Sequence, residues 1–277
     1  MSQAKQGAAY TYMFAMGLCL VCSIGLSLAY TYLKPIQADN VRLDIVQNLL
    51  TSVGYTQDQL TKMAPDEVLG VFEKDFQVQI LNKDNKEAQR DFMESELLGL
   101  GYPQETLTGM DKGSLMNLFN TKVRLLARKA GKKPDDYDPG YKALYIYQPG
   151  GKVEAYVIPI MGNGLWDIIK GYIALDLDLN TVKGISFYEH AETPGLGARI
   201  TEDWFKQNYV GKHILDNGGD LISITIAKGK VVETVPDRLH DHYVDGISGA
   251  TLTGKGINDF LKSDLSKYEP YFKTLRN

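Results

Sequence analysis

The chain has 277 residues, of which 44% are hydrophobic and 23% charged, with a formal charge of −4 and only two cysteines. That hydrophobic content excludes a disordered chain, and an acidic balance without basic runs excludes a nucleic-acid partner. Cys19 and Cys22 are too few for a four-ligand metal or iron–sulfur site and, three residues apart, share one helix face as packing residues.

In chain order, residues 1–38 carry one predicted transmembrane helix at about 13–33, uncharged and long enough to cross a bilayer. Tyr10, Tyr12 and Phe14 precede the apolar centre and Tyr30 and Tyr32 close it, as expected of aromatic side chains at headgroup level. A cleaved signal peptide, with Ser27 to Ala29 as a weak cleavage site, is the alternative. Lys5 stands before the span and Lys34 and Arg42 after it, so charge counting leaves its sidedness open.

Residues 39–135 read as a helical insertion. Val41, Ile45, Val46, Leu49, Leu50 and Val53 form one apolar face, with Asp39 or Asn40 as cap and Gly54 as stop. Pro65-Asp66-Glu67 opens a further short helix with Val68, Leu69 and Phe72 inward. The set Leu50, Gly54, Tyr55, Leu60, Thr61, Met63, Val68 and Phe72 recurs as Leu97, Gly101, Tyr102, Leu107, Thr108, Met110, Leu115 and Phe119, a constant offset of 47 residues. A two-fold repeat of this kind suits spacing or docking to another protein of a complex. A strand is predicted within it at 77–81, and a charged, proline-containing linker at 129–138.

Residues 136–277 read as mostly strand. Segments 142–148 and 152–160 flank Pro149-Gly150-Gly151, 171–177 and 181–189 flank Asp178 to Asn180, and 221–227 and 230–235 flank Lys228-Gly229. Short connections make neighbours antiparallel, so the predicted fold class is α+β: an N-terminal transmembrane helix, a helical insertion, then an antiparallel sheet with packed helices. A final helix is predicted over 257–275, with Pro270 kinking or ending it.

Three stretches carry chemistry. In Asp245-Gly246-Ile247-Ser248-Gly249-Ala250-Thr251, small residues flank two hydroxyls just before the final helix. Helix starts favour anions and glycines permit close approach, although an ordinary N-cap explains the spacing alone. In Gly164-Leu165-Trp166 a tryptophan sits beside a turn, as a core residue or as the wall of a site for a flat apolar ring. In Glu192-Thr193-Pro194-Gly195-Leu196-Gly197, Pro194 and Gly195 fit a type II turn, which leaves Glu192 and Thr193 unexplained. His190 reads as a turn histidine, and Asp176, Asp178 and Asn180 as a solvated strand end, so no metal is expected. Ser248 lacks the glycine-flanked elbow of a hydrolase, and His240 and His242 supply no triad.

The order Asp-Gly-x-Ser-Gly-Ala-Thr resembles the flavinylation motif of the FMN-binding domain family, and Glu-Thr-Pro-Gly-Leu-Gly and Gly-Leu-Trp extend the resemblance. It implies FMN joined covalently to Thr251 through a phosphoester by a flavin transferase. It further implies Asp245, Gly246, Ser248, Gly249 and Ala250 around the attachment, and Leu165, Trp166, Glu192, Thr193, Gly195 and Leu196 about the flavin. Within the family the chain resembles the branch of C subunits, those of the Na⁺-translocating NADH:quinone reductases. That branch implies a single-pass protein of the bacterial inner membrane, its FMN domain extracytoplasmic. Such a protein relays single electrons between the other subunits and has no NADH site of its own, and its tethered flavin is expected to keep the dimethylbenzene edge accessible to solvent. The related G subunit of the Rnf complex, which tends to Gly-Tyr-Gly at the Trp166 loop, and a non-redox docking protein built on the repeat are the alternatives.

Overall fold

The computed structural model describes residues 8–87, 90–110, 115, 118, 125–126, 128–131 and 140–276. It divides into two compact units, Met1–Ile45 and Val46–Asn277. The described residues of the first lie within helix α1 (Ala8–Ser52), whose segment Tyr10–Lys34 contains an 18-residue stretch of mean hydropathy 2.0 and is long and apolar enough to cross a membrane. A helix at about 13–33 and a second capped at Asp39 or Asn40 were the expectation, but one helix runs through both, Pro35 included. A proline inside a helix removes only one i→i−4 bond, at about 3 kcal/mol, and the helix propagates on both sides of it. Asp39 and Asn40 are therefore interior positions and cap nothing.

The end of α1 is built into the second unit. Val46, Leu49, Leu50 and Val53 are buried, and the Ser186 hydroxyl donates to the Asn48 carbonyl at 2.7 Å. A Cβ at Gly184 would overlap the Ser52 carbonyl, so glycine lets the strand meet the helix end. Gly54, at φ +109°, turns the chain while the Tyr55 N–H bonds the Leu50 carbonyl at 3.1 Å, a glycine C-cap. Gly101, at φ +92°, does the same with Tyr102 N–H on the Leu97 carbonyl at 3.2 Å. The repeat thus has a structural counterpart, with Leu60 and Leu107, and Val68 and Leu115, buried alike. Among the described residues its helices include α2 (Gln57–Lys62), α3 (Pro65–Asp75), α4 (Arg90–Gly99) and α5 (Gln104–Thr108). Phe119 and residues 132–138 of the predicted linker lie outside the described residues.

Five strands, β1 (Phe76–Asn82), β2 (Tyr141–Tyr147), β3 (Ala155–Asn163), β4 (Ile168–Leu175) and β5 (Val182–Glu189), pair antiparallel in sequence order. Hairpins β2/β3 and β4/β5 match the alternation in the sequence. Strand β1, expected inside the helical insertion, pairs with β2 along its whole length, from Phe76↔Tyr147 to Asn82↔Tyr141. The sheet thus draws one of its strands from the stretch between α3 and α4.

The third predicted hairpin is absent. Thr225–Ile226 (β6) instead pairs in parallel with Tyr243–Val244 (β7), and Val231–Thr234, after the short helix α6 (Asp203–Gln207), forms a helical turn, α7. The cause is Asp245: its Oδ1 accepts the Val231 N–H at 2.8 Å and its Oδ2 meets Lys230 Nζ at 2.7 Å. The carboxylate thus occupies the donor that a strand at 231 would have used.

The C-terminal helix α8 (Thr251–Arg276) starts six residues before the predicted Ile257 and continues through Pro270. It lies on the sheet through Ile257, Phe260, Leu261, Leu265, Tyr268 and Phe272, all buried. A Cβ at Gly162 would overlap Phe260, so β3 admits the helix only because that position carries no side chain. Asp264 Oδ2 accepts the Met161 N–H at 2.7 Å, and the Tyr268 hydroxyl donates to the Ala143 carbonyl at 2.6 Å.

Candidate functional site

The three motif stretches, distant in sequence, meet at the first turn of α8. The meeting point is Glu192, whose side chain is almost wholly buried although the loop around it is exposed. Its Oε1 accepts the N–H groups of Leu165 at 2.8 Å and Trp166 at 3.1 Å, and its Oε2 accepts the hydroxyl of Thr253. A Cβ at Gly164 would stand 2.5 Å from Oε1, and one at Gly197 would stand 2.7 Å from Oε2 and 2.6 Å from Thr253 Oγ1. Two glycines therefore close around one carboxylate. Trp166 Nε1 donates to Thr193 Oγ1 at 3.1 Å, a second link between the same two loops.

The 192–197 loop turns as the sequence suggests. The Leu196 N–H bonds the Thr193 carbonyl at 3.1 Å, with Gly195 at φ +76°, the type II geometry. His190 Nδ1 accepts the Glu192 N–H at 3.2 Å, a contact within the turn. On the other side, a Cβ at Gly249 would lie 2.8 Å from Leu196 Cδ2, so Leu196 sits against the Ser248-Gly249 bend. Gly249 takes φ +74°, and the Ala250 N–H then bonds the Ile247 carbonyl at 3.1 Å.

Thr251 is the first residue of α8 and is exposed, as are Ser248 and Gly249, while Ala250 is buried beneath them. The N–H groups of a first helical turn have no partner within the helix and point outward past the hydroxyl. Residues on the inner side hold this turn in place: Thr253 through Glu192, and Gly256, where a Cβ would overlap the Asn163 carbonyl. The loops that meet at this turn carry exposed apolar side chains. Trp166 is 68% exposed, Leu252 59%, Leu165 45% and Leu196 42%, so Trp166 is no core residue.

Asp245 and Gly246 do different work. Burial disfavours the Asp245 charge, but hydrogen bonds from Lys230 and the Val231 N–H, with the Lys230 charge, outweigh it and hold its carboxyl below the usual range. Gly246 donates its N–H to the Gly229 carbonyl at 2.8 Å, and a Cβ there would overlap the Ala227 carbonyl. These two residues fix the chain leading into the turn, and the exposed face belongs to Ser248, Gly249 and Thr251. At the strand end, Asp178 accepts the N–H groups of Asn180 and Thr181 and so caps its own loop.

Gly164 and Gly197 stand in the motifs but had no role assigned from the sequence, and Thr253 and Gly256 were given none either. Thr253 and Gly256 follow the motif by two and five positions, where helix-facing residues look like any others. The partner of Thr253 is 61 residues away, so no local pattern shows the bond.

A family model described as FMN-binding domain matches residues 164–266, a span containing all three loops. Among curated proteins, the C subunit of the Na(+)-translocating NADH-quinone reductase of Pseudomonas aeruginosa is 30% identical over 98% of this chain and 97% of its own. This chain belongs to the family of Na(+)-translocating NADH-quinone reductase C subunits. The corresponding protein of Yersinia pestis is 29% identical over 96% of this chain and 92% of its own. The crystal structure of the C subunit from Parabacteroides distasonis, 24% identical, covers 87% of this chain and 96% of its own with a TM-score of 0.62, a match of fold.

For a member of this family with an FMN-binding domain, the residues present fit the group. An exposed hydroxyl and unpartnered first-turn N–H groups suit a phosphate, and the side chains of Trp166, Leu165, Leu196 and Leu252 suit an apolar tricyclic ring.

Proposed function

We propose that this chain is an electron-carrying subunit of a membrane-bound, sodium-translocating NADH:quinone reductase, with FMN held covalently on Thr251. The observation that carries the reading is the exposed Thr251, at a helix start that Thr253 and Glu192 tie to the loops carrying the exposed Trp166, Leu165 and Leu196. Bound FMN supplies one-electron transfer. The protein's part is to orient it. First-turn N–H groups of α8 would donate to the phosphate, Leu165, Trp166, Leu196 and Leu252 would cover ring surface, and Thr193 presents its hydroxyl beside Trp166.

Attachment requires an activated phosphate, because a hydroxyl does not displace water from a phosphate monoester under mild conditions. A flavin transferase would bring an FMN phosphoanhydride to Thr251. The Thr251 Oγ–H would lose its proton to a base as an Oγ–P bond replaced the anhydride P–O bond, with a nucleoside monophosphate as the leaving group. The apolar segment Tyr10–Lys34 supports an anchor in the bacterial inner membrane, and the family supports an extracytoplasmic FMN domain with electron partners in the other subunits.

Intact mass of the full chain, co-expressed with a flavin transferase, tests the reading. Wild type and Thr251→Ser are expected to gain one FMN, Thr251→Ala none, and the remote, exposed Thr61→Ala one. Thr253→Ala is unsuitable as a control, because its hydroxyl holds Glu192. Wild type without covalent flavin, or Thr251→Ala that keeps it, overturns the reading.

A further inference from the structure

Glu192 is an unusual element of an exposed loop. An ionisable side chain only 4% exposed is costly unless its hydrogen-bonding capacity is filled. Here three donors fill it, and they come from two other segments: the Leu165 and Trp166 N–H groups from the β3–β4 connection, and the Thr253 hydroxyl from α8. The Leu165 and Trp166 N–H groups belong to a turn whose apolar side chains point to solvent, and Thr253 is buried. Gly164 and Gly197 press against the carboxylate so closely that no side chain fits at either position.

We infer that Glu192 is a positioning residue. It sets the Leu165–Trp166 wall at a fixed place on the attachment helix, and it does so by the reach of its two oxygens and not by its charge. The functional meaning of that wall rests on the FMN reading above. Glu192 acts on that wall from beneath, through its two oxygens.

Reach and charge are separable by two conservative variants. In Glu192→Gln the amide oxygen still accepts both main-chain N–H groups, and the amide nitrogen donates to Thr253, whose hydroxyl turns from donor to acceptor. Shape is kept and charge lost. In Glu192→Asp the charge is kept, but the carboxylate is one methylene shorter and cannot span to both the loop and α8. Two readouts on the full chain in detergent micelles apply: hydrogen exchange at the Leu165 and Trp166 amides, and the initial rate of FMN transfer to Thr251 by mass spectrometry.

Glu192→Gln is expected to keep the protection of both amides and a transfer rate within about threefold of wild type. Glu192→Asp is expected to lose the protection and to slow transfer about tenfold or more, as small misplacements of a reacting group do. An inverted order, with Asp near wild type and Gln impaired, overturns the inference in favour of charge. Unchanged amide protection in Glu192→Asp also overturns it. If wild type takes up no FMN, the functional reading fails, while amide exchange still decides whether Glu192 couples the two segments.

Discussion

At the scale of single residues, this protein uses glycine and buried carboxylates for opposite ends. Gly256 lets α8 touch the Asn163 carbonyl, and a Cβ there would have to displace main chain on one side or the other. Gly256→Ala should therefore lower stability by about 1–3 kcal/mol, the usual cost of overpacking, read as a lower urea midpoint with unchanged slope. Asp264 is a buried carboxylate of another kind. Burial raises its pKa above the ordinary 3.8, although Lys267 and the Met161 N–H pull it down. From 3.8 up to the raised native value, the folded state keeps a proton that the unfolded state has lost, so stability falls as pH rises through that window. Asp264→Asn retains an oxygen for the Met161 N–H and removes the titration. Its unfolding free energy should lack this fall above pH 3.8 and should equal or exceed that of wild type near neutrality, as measured by denaturation across pH. Of these residue-level roles little was legible in the sequence. Glu192 and Thr251 were marked by the motif, but the depth of Glu192 and its bond to Thr253 depend on three segments meeting, which no spacing encodes.

At the scale of elements, what the sequence revealed follows from how local the cause is. Hairpins β2/β3 and β4/β5 were legible because alternation and a short turn specify both strands and their pairing. The Gly-Tyr turns of the repeat were legible for the same reason, since each is closed by bonds within a few residues. The supposed strand at 230–235 was misread because its apolar residues alternate well enough, and only the distant Asp245 makes Val231 helical. Strand β1 was seen, but its partner lies some sixty residues on, across the helical repeat. The helix through Pro35 shows the limit of reading breakers singly: a strong helical context on both sides overrides one missing bond. The early start of α8 has a functional weight the other differences lack, because it makes Thr251 a helical residue with a set orientation.

At the scale of the molecule, the unit Val46–Asn277 draws four buried side chains, Val46, Leu49, Leu50 and Val53, from the end of a helix that begins in the apolar unit. At about 1.5–3 kcal/mol each, they match the whole stability of an ordinary domain, about 5–15 kcal/mol. A chain beginning at residue 40 should therefore fold, with native near-UV dichroism, whereas one beginning at residue 55 should not. The turn that carries Thr251 is likewise held by protein alone, by Thr253, Gly256 and the core side chains behind them. The consequence reaches into biosynthesis. On the proposed reading, the substrate of maturation is therefore a finished protein and not a nascent loop, and a cell short of flavin should hold a reserve of intact, unloaded chain that is ready for conversion when supply returns.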